Sequence, residues 1–330
     1  MNISDVAKKA GVSVATVSRV LNNSSSVTQK TVKKVQDAID TLNYKPNIAG
    51  RNLRINKTNN ILVIVNSLVN TFFSKLIKGI EDTAFEKGYN VLICTTDNSP
   101  EKMMHYLDLL GKKLADGAIL LGIEADGANK ARIRKISESV PLVQCSERID
   151  DSIPYIAINS FKAMYDVTDA LIKSGRKRIL YISADNSLFS TEQRFDGYKT
   201  ALSDNGIKFD SKLVIYGNYG YRTALQITDN FLKKKIKIDA VAAVGDRMAY
   251  GALNALKNNG FKIPEDISVF GFDNIDLCHM SSPTLSSVNQ NQQIIGSKAM
   301  ETLFAMINDE PYEMETITDY ELIFRESTNI

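Results

Sequence analysis

The sequence predicts an α/β protein with an N-terminal three-helix helix-turn-helix headpiece and a hinge, followed by a two-lobed core of doubly wound parallel sheets. Its 330 residues are about twice the length of a common domain. The first 57 residues carry ten Lys or Arg against three Asp, a net charge of +7, whereas the remainder carries −5. Beyond residue 60, short apolar runs alternate with stretches of helical periodicity.

The composition, 44 % hydrophobic and 24 % charged, is typical of a globular protein. Cys94, Cys145 and Cys278 lie far apart in no CxxC or Cys/His spacing, which predicts reduced core residues in a cytoplasmic protein. The chain opens without an apolar signal segment, and no run approaches the ~20 apolar residues of a membrane span. We therefore expect no membrane contact, no metal and no cofactor.

The first sixty residues indicate two short helices joined by a tight turn and a third helix that closes their core. Ser4 is expected to cap the first helix, and Gly11 to adopt the positive φ of the turn. Ser13 is expected to cap the second helix, and the third begins at Thr28. The residues predicted to face the core are Val17, Val20 and Leu21 of the second helix and Val32, Val35, Ile39 and Leu42 of the third. This arrangement is a helix-turn-helix.

The outward side of the second helix favours DNA binding. The forked guanidinium of Arg19 can bind O6 and N7 of a guanine in the major groove. Thr16 and Ser18 offer hydroxyl groups to phosphates, which set the register of the helix without reading bases. Val14 and Ala15 can contact a thymine methyl group but specify the base pair weakly. A three-helix bundle that binds another protein is the alternative.

Residues 3–22 resemble the headpiece of the lactose/galactose repressor family, and residues 42–47 resemble the entry to that family's hinge. The likeness resumes through the core to residues 325–327. Within the family it is greatest to the cytidine-responsive members, in residues 50–52 and 271–277. The resemblance implies a transcriptional regulator of the repressor type that binds a pseudo-palindromic double-stranded operator as a homodimer.

The resemblance also implies that residues 46–59 form a hinge helix and linker, and that the hinge becomes helical on operator DNA. Leu53 would then insert into the minor groove as an apolar wedge. Gly50 replaces the family's usual alanine, which costs roughly 1 kcal/mol of helix propensity per hinge, so we expect a weak hinge helix. The predicted DNA contacts are Ser13, Val14, Ala15, Thr16, Ser18, Arg19, Asn22, Thr31, Tyr44, Asn47, Gly50 and Leu53.

The core should contain two rounds of βα repeats. The predicted strands are 61–65, 91–94, 118–121, 142–144, 179–182, 213–216, 240–244 and 267–270. Such sheets bind ligands at the carboxyl ends of their strands, here in the cleft between two lobes. The resemblance implies a periplasmic-binding-protein-like architecture. The predicted boundaries are 1–45 for the headpiece, 46–59 for the hinge and linker, about 60–159 and 290–320 for lobe 1, and about 160–289 and 321–330 for lobe 2.

Candidate effector contacts follow the predicted strand ends. Of Phe72 and Phe73, one ring is expected to pack inward and the other to meet the ligand. The resemblance implies that Arg194 holds a ligand hydroxyl or carboxyl group and that Asp273 accepts from sugar hydroxyls, although a purely structural Arg–Asp ion pair is the alternative. Leu188 stands where purine-binding members have arginine, which argues against a free purine base. Together with the overall likeness, this favours a nucleoside, with sugars next. The predicted effector contacts are Asn70, Phe72, Phe73, Ser190, Arg194, Tyr219, Asp246 and Asp273.

Other classes of function fit less well. His105 and His279 have no recognisable catalytic partner spacing, and neither GxGxxG after a strand nor GxxxxGK[ST] is present, so no enzyme is predicted. A secreted solute-binding protein shares the core architecture but needs a signal segment and carries no basic headpiece. A ligand sensor of that fold that has lost operator binding is the alternative to an active regulator.

Overall fold

The computed structural model describes residues 1–21, 26–44, 57–184 and 188–329. The chain separates into two compact units, Met1–Thr58 and Asn59–Ile330. Most of the predicted hinge lies outside the described residues, and so do the predicted DNA contacts Asn22, Asn47, Gly50 and Leu53.

The smaller unit, here called the headpiece, consists of α1 (Ile3–Ala10), α2 (Val14–Leu21) and α3 (Gln29–Leu42). The first helix begins with a capping box at Asn2. The Asn2 side chain accepts from the backbone N–H groups of Ser4 at 2.9 Å and Asp5 at 3.1 Å, and the Asp5 carboxylate accepts from the Asn2 N–H. The prediction of Ser4 as the cap is therefore wrong, because the helix already includes it. Gly11 has a φ of 65°, as predicted.

The headpiece has a small aliphatic core. Its buried members are Val6, Ala7, Val17, Val20, Val35 and Ala38. Ser13 Oγ accepts from the backbone N–H of Thr16 at 3.1 Å and caps α2, as predicted. Val32 is 38 % exposed, so its predicted core position is wrong. At eight residues each, α1 and α2 are little more than half the length of the 14-residue α3, whose first turn is largely exposed.

The larger unit, here called the core unit, contains two six-stranded sheets. The first has the order β11-β5-β4-β3-β1-β2 and is parallel throughout, and the second has the order β12-β10-β9-β8-β6-β7. The first sheet comprises β1 (Asn60–Val65), β2 (Asn90–Thr95), β3 (Gly117–Leu121), β4 (Leu142–Cys145), β5 (Tyr155–Ile158) and β11 (Glu315–Thr318). The second comprises β6 (Ile179–Ala184), β7 (Val214–Gly217), β8 (Ala240–Ala243), β9 (Ser268–Phe272), β10 (Ser286–Asn289) and β12 (Glu321–Ile323). In the second sheet only β12 runs antiparallel, against β10.

All eight predicted strands are confirmed to within two residues at each end, and four strands are additional. Of these, β11 and β12 show alternating or partial exposure, so their sequences lack the continuous apolar run of a buried parallel strand. The additional β5 and β10 are buried but only four residues long.

Helices cover the sheets of the core unit. They are α4 (Phe72–Glu86), α5 (Pro100–Gly111), α6 (Gly127–Ser137), α7 (Ser160–Lys173), α8 (Phe189–Asp204), α9 (Tyr221–Leu232), α10 (Asp246–Asn258), α11 (Leu277–Met280) and α12 (Gln292–Ile307), with a 3-10 turn at Ser211–Leu213. The chain passes from the first sheet to the second after β5, returns after β10, and passes again between β11 and β12. We call the parts around the first and second sheets lobe 1 and lobe 2. None of the described helices is long and apolar enough to span a bilayer.

Lobe 1 is held together by a close crossing of α4 and α12. A Cβ atom on Gly296 would lie 2.0 Å from the Leu76 carbonyl oxygen, and one on Gly79 would lie 2.0 Å from the Gln293 carbonyl oxygen. Two glycines therefore let these helix backbones pack at a distance that no other residue permits. Because α12 begins directly after the second passage between the lobes, its crossing with α4 fixes the end of that passage to lobe 1.

Candidate functional site

The headpiece presents the predicted recognition residues on one helix. Val17 and Val20 are buried and hold α2 against the other two helices, whereas Val14, Ala15 and Arg19 are exposed. Ala15 and Arg19 are four residues apart and share one face of the helix. An exposed guanidinium on a short, capped helix is suited to binding a groove edge or a phosphate.

The remaining predicted headpiece contacts are more enclosed. Thr16 and Ser18 are half-buried, and the Thr16 hydroxyl lies 2.9 Å from Ser13 Oγ. Thr31 Oγ1 lies 3.0 Å from Thr28 Oγ1 at the start of α3. Tyr44 packs partly against the headpiece core. Hydroxyl groups therefore lie at the starts of α2 and α3, where the helix dipole favours phosphate oxygens.

A cavity of about 480 Å³ lies between the two lobes of the core unit, at the carboxyl ends of the strands. Lobe 1 contributes residues that follow β1 to β4, and lobe 2 contributes residues that follow β6 to β9. Seven of the eight predicted effector residues line this cavity: Asn70, Phe72, Phe73, Ser190, Arg194, Tyr219 and Asp273. Leu188 lines it as well.

The two phenylalanines form an edge-to-face pair whose ring centroids are 5.2 Å apart. Both side chains are nearly buried, and both residues line the cavity. The expected division into one inward ring and one ligand-facing ring stays a prediction. A Cβ atom on Gly122 would lie 2.5 Å from the Phe73 ring, so a residue with a side chain here would clash with that ring. We call the Phe72–Phe73 pair the aromatic floor of the cavity. The pair offers an apolar surface on which a ring can stack.

Arg194 is the principal cation of the cavity and is only 5 % exposed. Its Nη1 donates to the Val244 carbonyl oxygen at 2.6 Å, and its guanidinium lies 3.7 Å from the centroid of the Phe272 ring. Nε is buried and has no partner within the described ranges. Among the described residues, the guanidinium thus contacts a carbonyl group and an aromatic face rather than a carboxylate, which leaves donor capacity for a ligand oxygen.

Asp273 follows β9 with a φ of 114°. Its Oδ1 accepts from Gln290 Nε2 at 2.7 Å, and its carbonyl oxygen accepts from Gln292 Nε2. Burial raises the pKa of Asp273 well above its ordinary value, and Arg194 opposes that shift. Gln290 lies between β10 and α12, and Gln292 is the first residue of α12, so the connection between the lobes positions a ligand-facing acceptor.

Tyr219 follows β7 in a left-handed conformation with a φ of 60°. Its hydroxyl is hydrogen-bonded to Thr191 Oγ1 of α8. Burial raises the pKa of Tyr219 to about 12. The ring is therefore held at the cavity as a neutral aromatic side chain.

Asp246 does not line the cavity, so the prediction that it contacts the effector is wrong. It is fully buried at the start of α10. Oδ1 accepts from Ser287 Oγ at 2.6 Å, while Oδ2 accepts from the Ile275 N–H at 2.9 Å and the Cys278 thiol at 3.2 Å. Burial raises the pKa of Asp246 to about 6 against these donors. Its carboxylate ties β10 and α11 to α10.

Glu147 is a cavity residue that the sequence reasoning missed. It follows β4 and is 6 % exposed. Oε2 accepts from the Ser190 N–H at 3.1 Å, and Oε1 accepts from the Ser190 hydroxyl. Burial raises the pKa of Glu147 to about 7, opposed by the hydrogen bonds of Ser190 and by the charge of Arg194.

Other polar residues of the cavity were also missed. They are Asn66, Ser67, Asn98, Glu124, Ser146, Asn218 and Arg247. Asn66, Asn98, Glu124 and Ser146 each lie within three residues of a strand end, so the rule that selected Asn70 and Asp273 would have found them. Within the described ranges, no three His, Cys, Asp or Glu side chains are grouped to hold a metal ion.

A helix-turn-helix unit joined to a two-lobed α/β core with a polar and aromatic cleft defines a ligand-responsive DNA-binding regulator. Comparison with known families agrees. Residues 2–47 match "Bacterial regulatory proteins, lacI family", and residues 58–323 match "Periplasmic binding proteins and sugar binding domain of LacI family". The chain belongs to the lacI family of transcriptional regulators.

Similar proteins include characterised regulators and solved structures. The chain is 34 % identical to the transcriptional regulator RegA of Clostridium saccharobutylicum, over 99 % of both chains. It is 31 % identical to the transcriptional repressor PurR of Mannheimia succiniciproducens, over 98 % of both. The lac repressor dimer bound to operator and the anti-inducer ONPF has a TM-score of 0.89 at 25 % identity, over 99 % of both chains. The finer resemblance to cytidine-responsive members stays a prediction.

Proposed function

We propose that the protein binds a pseudo-palindromic operator as a homodimer, and that a nucleoside or a sugar in the inter-lobe cavity changes its affinity for that operator. The observation that carries the proposal is the cavity itself, where Arg194 and Asp273 face an aromatic floor within a chain that also exposes a recognition helix. The proposed activity is binding rather than catalysis. The proposed location is the cytoplasm, where operator DNA is accessible.

Operator binding would depend on α2. Arg19 is exposed there beside Val14 and Ala15, and it is the side chain of this helix best suited to a bidentate contact with guanine. The net charge of +7 over residues 1–57 adds attraction to phosphates that is independent of sequence. The contacts proposed for the hinge, including Leu53, rest on the family resemblance.

A homodimer is proposed because one recognition helix covers only a half-site. Exposed apolar side chains on both lobes support it: Val69 of lobe 1 and Met280 of lobe 2 are 74 % and 76 % exposed. Both border a second cavity of about 440 Å³ that also contains Tyr250 and Leu277. An apolar surface of this kind on a folded protein is typical of a protein interface, and the lac repressor named above is a dimer.

The effector would act by closing the lobes. A ring stacked on the phenylalanines of lobe 1 and bonded to Arg194 and Asp273 of lobe 2 would contact both lobes at once. Because Asp273 is held by Gln290 and Gln292 next to the passage between the lobes, closure would change the population of DNA-competent dimers. A volume of about 480 Å³ lies within the range of small-molecule sites. One solved relative, the regulator CelR, is a complex with cellobiose.

The DNA part is tested by selecting operators from random DNA and then measuring binding of Arg19→Ala. We expect selectivity to fall at one guanine of each half-site by about 1 to 3 kcal/mol. Lys33→Ala is the matched control, because it removes one exposed headpiece charge from α3 and should weaken all sequences alike. Unchanged selectivity in Arg19→Ala would remove α2 as the recognition helix.

The effector part is tested by thermal unfolding of the full chain with cytidine, uridine, adenosine and a panel of hexoses and disaccharides. A true effector should raise the melting temperature in proportion to the logarithm of its concentration. Asp273→Asn should weaken that effect, whereas Asn129→Asp, at a half-buried position of lobe 1 outside the inter-lobe cavity, should not. The absence of any shift across nucleosides and sugars would contradict the proposed effector class.

A further inference from the structure

Glu147 and Ser190 connect the two lobes at the cavity. Glu147 follows β4 in lobe 1, and Ser190 is in the first turn of α8 in lobe 2. Both oxygens of the carboxylate are used: one accepts from the Ser190 N–H at 3.1 Å and the other from the Ser190 hydroxyl. Glu147 and Ser190 are 6 % and 3 % exposed.

The start of α8 is a favourable place for an anion. Its first N–H groups have no partner within the helix, and the helix dipole concentrates positive charge there. Phosphate groups of ligands commonly bind at such positions. The helix is 16 residues long, and its own N-cap residue, Leu188, has no side chain that can accept a hydrogen bond. Glu147 therefore provides from lobe 1 the cap that α8 lacks in its own sequence.

We infer that Glu147 is a specificity-determining residue: it fills the anion-binding start of α8 and thereby selects effectors without a phosphate group at that end of the cavity. The inference rests on the proposed function, because it takes the cavity to be the effector site. The favoured ligands are the neutral nucleosides and sugars, and the disfavoured ones are their phosphate esters.

The charge around the cavity supports this selection. Among the described residues that line it, Glu124, Glu147 and Asp273 are acidic, and Arg194 and Arg247 are basic. Arg194 already donates to a carbonyl oxygen and lies over the Phe272 ring. These residues therefore give the cavity no surplus of positive charge that would attract a phosphate group.

Displacement of Glu147 by a phosphate group would also be costly. The carboxylate would lose both donors while it stayed in a poorly hydrated place, and a second anion would enter beside it. That Glu147 is shielded from water is consistent with the upward shift of its pKa to about 7. Removing the carboxylate should make phosphate binding favourable, because the N–H groups at the start of α8 would then face the cavity without an acceptor.

The test uses inorganic phosphate as a probe on the full chain and follows binding by thermal shift and calorimetry. Glu147→Ala should bind phosphate about tenfold more tightly than the wild type. Tenfold corresponds to about 1.4 kcal/mol, which lies within the range for an anion at a partly buried helix start. Glu124→Ala is the matched control: it removes one acidic charge from the same cavity but leaves the start of α8 occupied, and it should bind phosphate like the wild type.

Glu147→Gln covers the case in which the alanine variant does not fold. It keeps the shape and removes the charge, and we expect about a threefold gain in phosphate affinity. If neither Glu147 variant gains affinity, or if Glu124→Ala gains as much, the inference is wrong. The readout involves neither DNA nor the natural effector, so its failure is distinguishable from failure of the proposed function. In the wild type, uridine should then be preferred over uridine monophosphate, and glucose over glucose 6-phosphate.

Discussion

The headpiece and the core unit place their candidate functional groups in opposite environments. In the headpiece, Val14 and Arg19 are exposed on a helix that a few aliphatic side chains hold in place. In the core unit, Glu147, Arg194 and the phenylalanine pair are nearly buried between two lobes. A surface that reads DNA must reach into a groove of another molecule, whereas a site for a small ligand gains specificity by excluding water.

This difference has an electrostatic consequence. Burial raises the pKa values of Glu147 and Asp246 to about 7 and about 6, and that of Asp273 also rises. The two units also differ in how they can be destabilised, because a unit of 58 residues buries a smaller fraction of its surface than one more than four times as long. The following substitutions test whether the two units behave independently.

The largest effect is expected for Gly296→Ala in the core unit. The new Cβ atom would lie 2.0 Å from the Leu76 carbonyl oxygen, so α4 and α12 must separate. We expect a loss of about 3 kcal/mol in the free energy of unfolding. Calorimetry should show a lowered core transition and an unchanged headpiece transition. Gly111→Ala, where a Cβ atom meets nothing within 4 Å, is the control. A headpiece transition that moves with the core would disprove their independence.

The next effect is a pH dependence at Glu147. Burial raises its pKa in the folded protein from an ordinary 4.5 to about 7, so the folded state binds this proton more tightly than the unfolded state. The resulting stabilisation is complete below pH 4.5 and is lost as the pH rises through 7. Glu147→Gln removes this dependence.

Relative to the wild type, Glu147→Gln should therefore gain stability as the pH rises from about 5 to 8, by at most about 3 kcal/mol. Urea unfolding at each pH measures the difference. Glu310→Gln, at an exposed position, provides the baseline. A Glu147→Gln difference that stays constant with pH would show that the carboxyl group is hydrated.

A smaller effect is expected for Asn2→Ala in the headpiece. It removes the side chain that accepts from Ser4 and Asp5, and a lost cap costs about 1 kcal/mol. Asn2→Asp retains an acceptor and should stay close to the wild type. Calorimetry or helical circular dichroism of the headpiece transition measures the loss. A change in the core transition instead would contradict the division into two units.

The smallest effect is expected for Lys75→Met. Lys75 Nζ lies 2.8 Å from Asp276 Oδ1 and joins lobe 1 to lobe 2, but both side chains are largely exposed. We expect a loss below about 0.5 kcal/mol that disappears in concentrated salt. Lys78→Met, which removes two ion pairs within α4, is the control. A loss several times larger would identify this ion pair as a structural link between the lobes.

Sequence reasoning succeeded where the structural signal was continuous along the chain. Buried strands such as β1 and β3 appear as apolar runs, and α2 appears as a capped helix with periodic valines. It failed for β11, whose residues alternate between exposed and half-buried at the edge of a sheet. In the cavity, the strand-end rule selected Asp273 and Asp246 alike, although only Asp273 faces the cavity.

The sequence by itself determined two local properties. These are the basic helix-turn-helix and the alternation of strands and helices in the core unit, because hydrophobic periodicity and helix caps act over a few residues. Only the tertiary structure decided which polar groups meet. The Asp246 carboxylate accepts hydrogen bonds from Ser287 and Ile275 and therefore does not face the cavity. Ser190 donates to Glu147, although the two residues are 43 positions apart in the chain. Such pairs depend on how two sheets and the passages between them are arranged, and no local pattern encodes that arrangement.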